Sequence, residues 1–371
     1  MKIVVACGGT GGHAFPGLAV AEELARRGHE VTVWDSGRAV ESSVMKRWKG
    51  AVFTTGARQL AAKNAFAILR SILRCRKKMK RTRPDALLAM GSYSSLPPVL
   101  AARWCGVKVY LHEANTVPGK AVEFLSRFAE KVAISFKMTT QFLPNAQTVL
   151  TGLPVRANIV GGTRFPFVPP NAFVVFVTGG SQGAHAVNLM MTKALCQLKK
   201  DLDAANAERP LYVVHQTGRK DEAEVVAAYA AAGVPARVHA FEDEMANAFA
   251  SADMVVARAG ASTCFELAAC GKPAFLIPLP TAMRDHQHYN AEAFAASGAA
   301  DEGIQSKLTP QAVARYLRHK HDAPESLAAM AAKMRALAKP DAAARVADLV
   351  EGRPAASAGP SSTSPSTAPE R

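Results

Sequence analysis

The sequence predicts an α/β protein made of two units of similar design, and three stretches carry this prediction. Near the start, the apolar strand Ile3–Cys7 runs into a glycine turn, Gly8–His13, which a helical pattern and a second strand follow. The same order returns at Phe173–Val177 with the turn Thr178–Ala184, and a third time after Met254–Ala257. Continuous apolar strands that alternate with helices are typical of a parallel sheet.

Composition limits the class of protein. A chain of 371 residues is long enough for two domains. It has no apolar run of about 18 residues and starts without the long apolar region of a signal peptide, so we expect neither a membrane-spanning helix nor a secretory signal. Its six cysteines lack CxxC or zinc-ligand spacing, which indicates a reduced, cytosolic protein with no structural metal.

Basic residues are concentrated in the first half of the chain. Residues 1–160 hold 24 Lys and Arg against 9 Asp and Glu, whereas residues 161–371 hold 21 of each. The densest part, Arg70–Arg83, has eight basic residues and no acidic one, and apolar side chains lie just before it and at its start. Apolar residues beside a cationic cluster predict contact with an anionic membrane surface through Phe66–Arg83.

Nucleic acid and the protein core are the two competing partners for Phe66–Arg83. Nucleic acid is also polyanionic, but this segment holds one aromatic residue and the chain carries no nucleic-acid-binding motif, so we predict no nucleic acid partner. A helix that packs on the core and exposes a basic face would account for the apolar residues, but not for eight unopposed charges.

The first glycine turn is a candidate ligand site. GGTGGH resembles the GxGxxG dinucleotide fingerprint but differs in spacing, so on its own it is weak support for a nucleotide. Its glycines let a ligand approach the backbone closely. His13 stands where the turn becomes the helix Ala14–Arg27, at the edge where parallel strands end. An imidazole there suits general-base work, although capping the turn would also account for it.

The first unit continues with a second turn of this kind. The strand Asp85–Met90 leads into the glycine/serine turn Gly91–Pro97. Val107–Leu111 is the next strand, and the polar residues His112 and Glu113 follow it. Polar groups after a strand end point into the same cleft, and both catalysis and structural hydrogen bonding would account for these two.

A Gly/Pro-rich connection, Gly161–Pro170, marks the predicted domain boundary. It separates a first domain, 1–160, from a second domain, 161–350. The Pro/Ser/Ala/Thr-rich tail, 351–371, cannot bury a core, so we expect it to be disordered. The remaining predicted strands are Gly28–Val33, Val132–Ile134, Thr148–Leu150, Leu211–Gln216, Ala236–Ala240 and Pro273–Pro278.

The helix that follows Met254–Ala257 predicts an anion site. Ser262 and Thr263 lie in its first turn, where free backbone N–H groups and the helix dipole face a ligand. Glu266 lies one turn inside, where a carboxylate repels phosphate but suits a diol such as ribose. A plain βα turn with Glu266 as a first-turn acid is the alternative.

A polar helix start is predicted at Asp285–Asn290. His286 and His288 are two residues apart and face away from each other on a helix, which disfavours a metal site. Hydrogen bonding of Gln287 to the hydroxyls of a sugar is more natural.

Six motifs in this order resemble one known family. GGTGGHAFPGLAVA, GSYSSLPPVLAA, HEANTVPG, LPVR, TGGSQGA and ARAGASTCFELAACGKPAFLIPLP…DHQHYNA are similar to motifs of the MurG family, bacterial N-acetylglucosaminyltransferases that convert lipid I to lipid II in peptidoglycan synthesis. The resemblance runs from about Lys2 to Val350. It implies an α/β fold of two Rossmann-like domains facing across a cleft, the GT-B type.

The resemblance also implies an activity and a place of action. The family makes an inverting transfer from UDP-N-acetylglucosamine to the C4 hydroxyl of lipid I, without a metal or other cofactor. It implies a peripheral protein on the cytoplasmic face of the inner membrane, and leaves other cell-wall enzymes open as partners.

The resemblance implies roles for individual residues. Glu266 would hold the ribose hydroxyls, Gln287 would contact the N-acetylglucosamine, and the backbone around Glu242 would meet the uracil. His13 is the first candidate base and Glu113 the second. The other implied donor contacts are Thr10, Gly11, Gly12, Asn115, Arg156, Ser181, Ala261, Ser262, Thr263, Cys264 and Phe265. The implied acceptor site consists of the two N-terminal glycine turns, including Gly91, Ser92, Tyr93, Ser94 and Ser95.

The chain departs from the pattern of the family at four positions. Ala89 and Ser92 replace glycines in and before the second turn, Ala114 replaces a glutamine, and Leu153 replaces an asparagine. Each is expected to alter acceptor contacts locally. None removes a candidate acid, base or donor contact, so these departures indicate divergence within the family.

Four other functions compete with this assignment. Non-hydrolysing UDP-sugar epimerases share the two-domain layout but need no lipid acceptor and no basic patch. A transferase of similar fold with another acceptor is the second. A dinucleotide-dependent oxidoreductase is the third, and the glycine spacing disfavours it, as does the presence of only Asp35 as a ribose-binding acid. A non-enzymatic binding module would leave the polar residues at so many strand ends without a role.

Overall fold

The structure is a computed structural model that describes residues 1–38, 41, 45–59, 61, 64–180 and 182–353. Ser181, a predicted donor contact, lies outside the described residues. So does 354–371, most of the tail that we expected to be disordered. The first residues of that predicted tail, 351–353, are described, and Glu351 is the last residue of a helix.

Seven parallel strands form the first sheet in the described part of the chain. Their order is β3-β2-β1-β4-β5-β6-β7. Strands β2 and β3 are added on one side of β1 and those from β4 onward on the other, so the strand order reverses between β1 and β4. Ligands of such sheets bind at this reversal, outside the carboxyl ends of the strands. The strands are β1 Lys2–Ala6, β2 Glu30–Asp35, β3 Ala51–Thr54, β4 Ala86–Ala89, β5 Lys108–Glu113, β6 Lys131–Ile134 and β7 Thr148–Leu150; the helices are α1 Gly11–Arg26, α2 Ala65–Thr82, α3 Leu96–Cys105, α4 Lys120–Leu125 and α5 Thr139–Phe142.

Six parallel strands form the second sheet in the same arrangement. Their order is β10-β9-β8-β11-β12-β13, with the reversal between β8 and β11. The predicted fold class, two parallel-sheet α/β domains, is confirmed. The strands are β8 Phe173–Thr178, β9 Leu211–Gln216, β10 Ala236–His239, β11 Met254–Ala257, β12 Ala274–Leu276 and β13 Ala300–Glu302; the helices are α6 His185–Ala204, α7 Glu222–Ala231, α8 Met245–Ser251, α9 Ala261–Cys270, α10 His286–Ala295, α11 Pro310–Asp322 and α12 Pro324–Ala336.

The structure differs from the sequence-based prediction at three strands. We did not predict β3 and β13: β3 is a largely exposed edge strand, and β13 has three residues of which two are acidic, so neither shows a continuous apolar run. Strand β5 extends to Glu113, and therefore His112 and Glu113 pair with β6 instead of lying in the loop beyond it.

The last helix returns to the first domain. Helix α13, Ala342–Glu351, packs against α1, although we had placed this segment in the second domain. Val346 and Val350 are buried in the same apolar cluster as Leu24 of α1. The apolar face of α1 is thus covered by residues more than 300 positions away, which no local pattern reveals. Among the described residues, no helix has the length and apolar character needed to span a bilayer.

Candidate active site

A cleft of about 580 Å³ lies between the two sheets, at the edge where their strands end. Thr10 follows β1, Asn115 follows β5, Gly179 follows β8 and Arg258 follows β11. The described lining residues include three histidines and one arginine but no carboxylate. The full set comprises Thr10, Gly12, His13, Ala114, Asn115, Gly179, Gly180, Gln182, Gly183, Ala184, His185, Arg258, Gly260, Ala261, Ser262, Thr263, Leu279, His286 and Gln287.

Four helices, α1, α6, α9 and α10, begin at this cleft. None of them has an acidic residue in its first turn, and no described side chain caps their N-terminal N–H groups. Free N–H groups and the positive ends of four helix dipoles therefore face the same space. Such a surface is suited to binding an anion with several charged oxygens, such as a diphosphate.

His13 lies in the first turn of α1 and faces the cleft. Its Nδ1 is 3.0 Å from the hydroxyl oxygen of Thr10. Burial, assisted by the nearby His286, lowers the pKa of His13 to about 4, so the imidazole is neutral at pH 7. The tautomer that donates from Nδ1 to Thr10 leaves the lone pair of Nε2 free to accept a proton from a substrate.

Glu113, predicted as the second candidate base, does not line the cleft. Its carboxylate accepts hydrogen bonds from the backbone and side-chain nitrogens of Asn115, at 2.9 and 3.2 Å, and from the backbone of Gly119, at 3.1 Å. Burial raises the pKa of Glu113 to about 7. His112 is also fully buried, with Nε2 3.2 Å from the carbonyl of Gly152. Both residues support loops beneath the cleft, which corrects the prediction for Glu113.

Asn115 reaches the cleft next to a contact between the two domains. Its amide oxygen accepts a hydrogen bond from Nδ2 of Asn290, at 3.1 Å. The amide oxygen of Asn290 in turn accepts from the backbone and hydroxyl of Thr116, at 2.9 and 3.0 Å. Asn290 is fully buried, so this network holds the two domains together directly behind Asn115.

The predicted donor contacts of α9 divide into two groups. Ala261, Ser262 and Thr263 line the cleft, and the hydroxyl of Ser262 lies 3.5 Å from the carbonyl of Gly12. The side chains of Cys264 and Phe265 are buried instead in the apolar core of the second domain. These two residues lie on the core-facing side of the helix, so a donor would meet them through their backbone, and their contact with it stays a prediction.

Glu266 is buried and paired with Arg156. The Nε of Arg156 donates to Oε1 of Glu266 at 2.9 Å. Burial raises the pKa of Glu266, and the charge of Arg156 opposes this effect. Arg156 also stacks over Phe15 and lines a second pocket of about 300 Å³ together with Phe241–Asn247.

Glu242, which also lines that second pocket, has its carboxylate bound by Arg237. Arg237 donates to both carboxylate oxygens of Glu242, at 2.9 and 3.0 Å. The neighbouring Phe241 is half exposed. The carboxylate of Glu242 is thus engaged by Arg237, and contact of a ligand with the backbone around Glu242 stays a prediction.

Gln287 faces the cleft with its amide group oriented. Its Oε1 accepts a hydrogen bond from the backbone of Leu279 at 3.0 Å, which leaves the NH2 group available. His286 lines the cleft as well, whereas Nδ1 of His288 lies 2.6 Å from Glu302 on β13. The two histidines therefore face different surroundings.

The predicted acceptor turn is held tightly against the first glycine turn. The Ser94 hydroxyl donates to the carbonyl of Gly8, and the Ser95 hydroxyl donates to that of Gly91. Both serines are buried: the Ser94 side chain joins the two turns, and the Ser95 side chain closes the second turn on itself, so a ligand would meet the backbone of these turns. Gly91 and Ser92 both have positive φ, and Ser92 and Tyr93 remain half-buried.

Sequence reasoning missed three charged or titratable residues of the cleft: His185, Arg258 and His286. Each immediately follows a strand end or begins a helix, which is the rule that located the other site residues. Arg258 donates to the carbonyls of Ile277 and Pro278 at 3.1 and 2.9 Å, and burial lowers its pKa. Its half-buried guanidinium lines the cleft as a positive group.

Comparisons with known proteins match both halves of the chain. Residues 3–134 match the glycosyltransferase family 28 N-terminal domain, and residues 174–346 match the C-terminal domain of that family. A UDP-N-acetylglucosamine--N-acetylmuramyl-(pentapeptide) pyrophosphoryl-undecaprenol N-acetylglucosamine transferase of Geobacter metallireducens is 37% identical, over 94% of this chain and 97% of the relative. The transferase of that name from Myxococcus xanthus is 36% identical, over 94% and 92%.

Solved structures show the same similarity. The crystal structure of Acinetobacter baumannii MurG superposes with a TM-score of 0.75 at 33% identity, covering 95% of this chain and 99% of that one. A UDP-N-acetylglucosamine 2-epimerase superposes with a TM-score of 0.70 over 94% of this chain and 95% of its own. Its identity is 15%, so it shares the fold alone.

Proposed function

Since this chain belongs to glycosyltransferase family 28, among the transferases that act on N-acetylmuramyl-(pentapeptide) pyrophosphoryl-undecaprenol, it is a UDP-GlcNAc-dependent glycosyltransferase, and we propose how its cleft carries out the reaction. The reaction moves N-acetylglucosamine from UDP-GlcNAc to lipid I and forms lipid II of peptidoglycan synthesis. The main support for the site is the convergence of four helix N-termini on a cleft without a described carboxylate.

The donor lies across the cleft and the second pocket. Its diphosphate meets the N-terminal N–H groups of α9 and of the glycine turn before α6, where Ser181 is a proposed contact. The uracil enters the pocket beside Phe241 and bonds the backbone around Glu242. The ribose binds Glu266, whose Oε2 remains after Arg156 has taken Oε1. The NH2 group of Gln287 then faces the sugar.

The chemistry is a single displacement with inversion. The C4 hydroxyl of the acceptor attacks the anomeric carbon of UDP-GlcNAc from the face opposite UDP, and the bond from that carbon to the UDP oxygen breaks. The proton of the hydroxyl passes to Nε2 of His13, which is neutral because burial lowers its pKa to about 4. The departing UDP keeps the two negative charges of its diphosphate and gains one on the oxygen that leaves the anomeric carbon, and the helix N-termini stabilise these charges.

The acceptor approaches from the first domain. Its diphosphate meets the backbone of the two N-terminal glycine turns, since the hydroxyls of Ser94 and Ser95 already bond the carbonyls of Gly8 and Gly91. Thr10, Gly11, Gly12 and Asn115 lie between this acceptor site and the donor sugar. Ser92, Ala114 and Leu153, where the chain departs from the family pattern, affect this side of the cleft.

The enzyme acts as a peripheral protein on the cytoplasmic face of the membrane that carries lipid I. Phe66, Leu69 and Leu73 are 79%, 50% and 47% exposed on α2, while Ser71, Cys75 and Met79 form its buried side. Packing on the core therefore does not account for these three apolar residues. A stripe of exposed apolar side chains beside exposed basic residues is suited to an anionic lipid surface.

Transfer from labelled UDP-GlcNAc, with and without a lipid I analogue, tests the function. We expect a labelled disaccharide-lipid only when the acceptor is present. Turnover of the UDP-sugar without acceptor would indicate an epimerase instead. His13→Ala should lower turnover by about 10²–10⁴-fold, whereas His319→Ala, an exposed histidine on α11, serves as the matched control. A near-normal rate for His13→Ala would remove His13 from the role of base.

A further inference from the structure

A histidine–aspartate pair stands at the start of α6 and faces the cleft. Nδ1 of His185 lies 2.8 Å from Oδ1 of Asp221, and the His185 side chain is half exposed. Asp221 is buried, and its Oδ2 accepts a second hydrogen bond from Asn188 at 2.7 Å. Because the carboxylate accepts the Nδ1 proton, the ring is fixed with Nε2 on the opposite side.

A buried network holds Asp221 in place. Nδ2 of Asn188 also donates to the carbonyl of Thr217 at 2.7 Å, and its Oδ1 lies 3.2 Å from Nε2 of His215. Nδ1 of His215 is 2.9 Å from the hydroxyl of Tyr229. Burial works against ionisation, but the hydrogen bonds from Asn188 and His185 hold the pKa of Asp221 below its usual value. The carboxylate is therefore ionised at neutral pH and rigidly positioned.

His185 lies where an anion in the cleft would meet it. It is the first residue of α6, directly after the glycine turn, and it lines the same cleft as Ser262 and Thr263. No carboxylate other than Asp221 bonds it within the described part of the chain. With Nδ1 bonded to Asp221, Nε2 is the ring nitrogen placed to contact a ligand phosphate on the opposite side.

We propose that His185 is a further donor-binding residue, which contacts the diphosphate of the UDP-sugar through Nε2, and that Asp221 is its positioning residue. This rests on the proposed function of the same cleft. It extends that function by assigning part of the diphosphate affinity to a side chain of the second domain, in addition to the backbone N–H groups. The contact holds the diphosphate before reaction and stays with UDP as it departs.

Calorimetric titration with uridine and with UDP tests this inference. A charge-assisted hydrogen bond predicts that His185→Ala weakens UDP binding by about 10- to 100-fold. Uridine, which lacks phosphates, should bind as it does to the wild type. His185→Arg keeps a cation at this position and should restore most of the UDP affinity. In the transfer assay, His185→Ala should raise KM for UDP-GlcNAc more than it lowers kcat.

The controls separate a direct contact from a structural effect. His319→Ala should leave both affinities unchanged. UDP affinity of His185→Ala within twofold of the wild type, or an equal loss for uridine and UDP, would overturn the inference. If His185→Ala fails to fold, Asp221→Asn should show the same selective loss for UDP, and unchanged UDP binding there would overturn it. If the wild-type protein bound no UDP, the proposed function itself would be rejected. If instead the wild type transferred normally and His185→Ala bound UDP as tightly as the wild type, only the inference about His185 would be overturned.

Discussion

At the scale of single residues, His13 shows how the surroundings of a side chain select its protonation state. Burial is the larger cause of its low pKa, and His286, which reaches the cleft from the second domain, is the smaller one. A base with a pKa of about 4 is weak, but it is fully available at neutral pH. In the proposed role of base, His13 would accept the proton most readily late in the displacement, when the C4 oxygen has begun to bond the anomeric carbon.

We expect the acid limb of kcat/KM that arises from His13 to lie near pH 4 and not near 6.5. Because its pKa is lowered, His13 stays neutral as the pH falls past 6.5 and becomes protonated only near pH 4. His286→Ala removes the repulsion from His286, so the His13 pKa should rise, while burial still keeps it below 6.5. NMR titration of the His13 ring measures this directly. A His13 pKa near 6.5 in the wild type would contradict the buried geometry.

Ser92 has a strained backbone conformation at a position where the family pattern has glycine. Its φ of 67° and ψ of 164° belong to a region that glycine adopts and that side chains strain to reach. Gly9 lies so close that a Cβ built on it would meet the Ser92 hydroxyl. The two turns therefore approach each other at a strained serine.

Ser92→Gly should raise the free energy of unfolding by about 1 kcal/mol, because relief of strain outweighs the greater freedom of glycine in the unfolded chain. Ser92→Ala keeps the strained backbone and should show no such gain. Denaturant unfolding of the three proteins decides between them. Equal stabilisation by alanine would mean that the hydroxyl, not the backbone, is the source of the effect.

At the scale of elements, helix α2 presents its core-facing residues and its exposed apolar residues on different sides, because each set repeats at helical spacing. The buried residues Ser71, Cys75 and Met79 repeat every four positions and fasten the helix to the sheet. Phe66, Leu69 and Leu73 repeat on the opposite side, where they are exposed. The basic residues Arg70, Lys77 and Lys80 are exposed with them. One helix thus carries both a core contact and a surface that we assign to the membrane.

Replacing Arg70, Lys77 and Lys80 together with glutamine should weaken binding to vesicles that contain anionic lipid by about 100-fold, since each basic residue near such a surface contributes about 1 kcal/mol. Sedimentation with vesicles measures this binding. The matched control replaces Lys193, Lys200 and Arg315, which are exposed on the second domain. Transfer to a water-soluble acceptor should be unchanged in both variants. Equal vesicle binding by the two triple variants would exclude α2 as the contact surface.

At the scale of the whole molecule, α13 ties the end of the chain to its beginning. Arg27 donates to Asp348 at 2.6 Å, to Glu351 at 2.8 Å and to the carbonyl of Ala344 at 3.2 Å. His29 lies 2.6 Å from Glu351. These contacts fasten a helix that follows the second domain onto the first, so the chain crosses between the domains twice.

Arg27→Ala should lower the free energy of unfolding by about 2 kcal/mol, because it leaves the partly buried Asp348 without its guanidinium partner and removes one of the partners of Glu351. Arg26→Ala is the matched control: Arg26 is the neighbouring residue, its side chain is exposed, and it pairs only with Glu23 among the described residues. We expect Arg26→Ala to unfold like the wild type. If both variants lost the same stability, the contact with α13 would not be the cause.

Local patterns in the sequence were sufficient to predict the architecture and the edge at which the site forms. Continuous apolar strands and glycine turns are such patterns, and because parallel strands end at one edge, His13 and Ser262, which stand at turns after strand ends, lie at the predicted edge. Tertiary packing was needed to show which neighbouring side chains turn inward, as Glu113 and Phe265 do. Tertiary packing was also needed to show which residues that are distant in the sequence interact.

Three such interactions connect residues that are far apart in the chain: His13 with His286, Arg27 with Asp348, and Asn115 with Asn290. A local pattern follows from backbone geometry and the period of burial, which a short stretch of sequence contains. The direction of one side chain near a strand end depends on what the rest of the chain packs against it, and that is a property of the folded molecule as a whole.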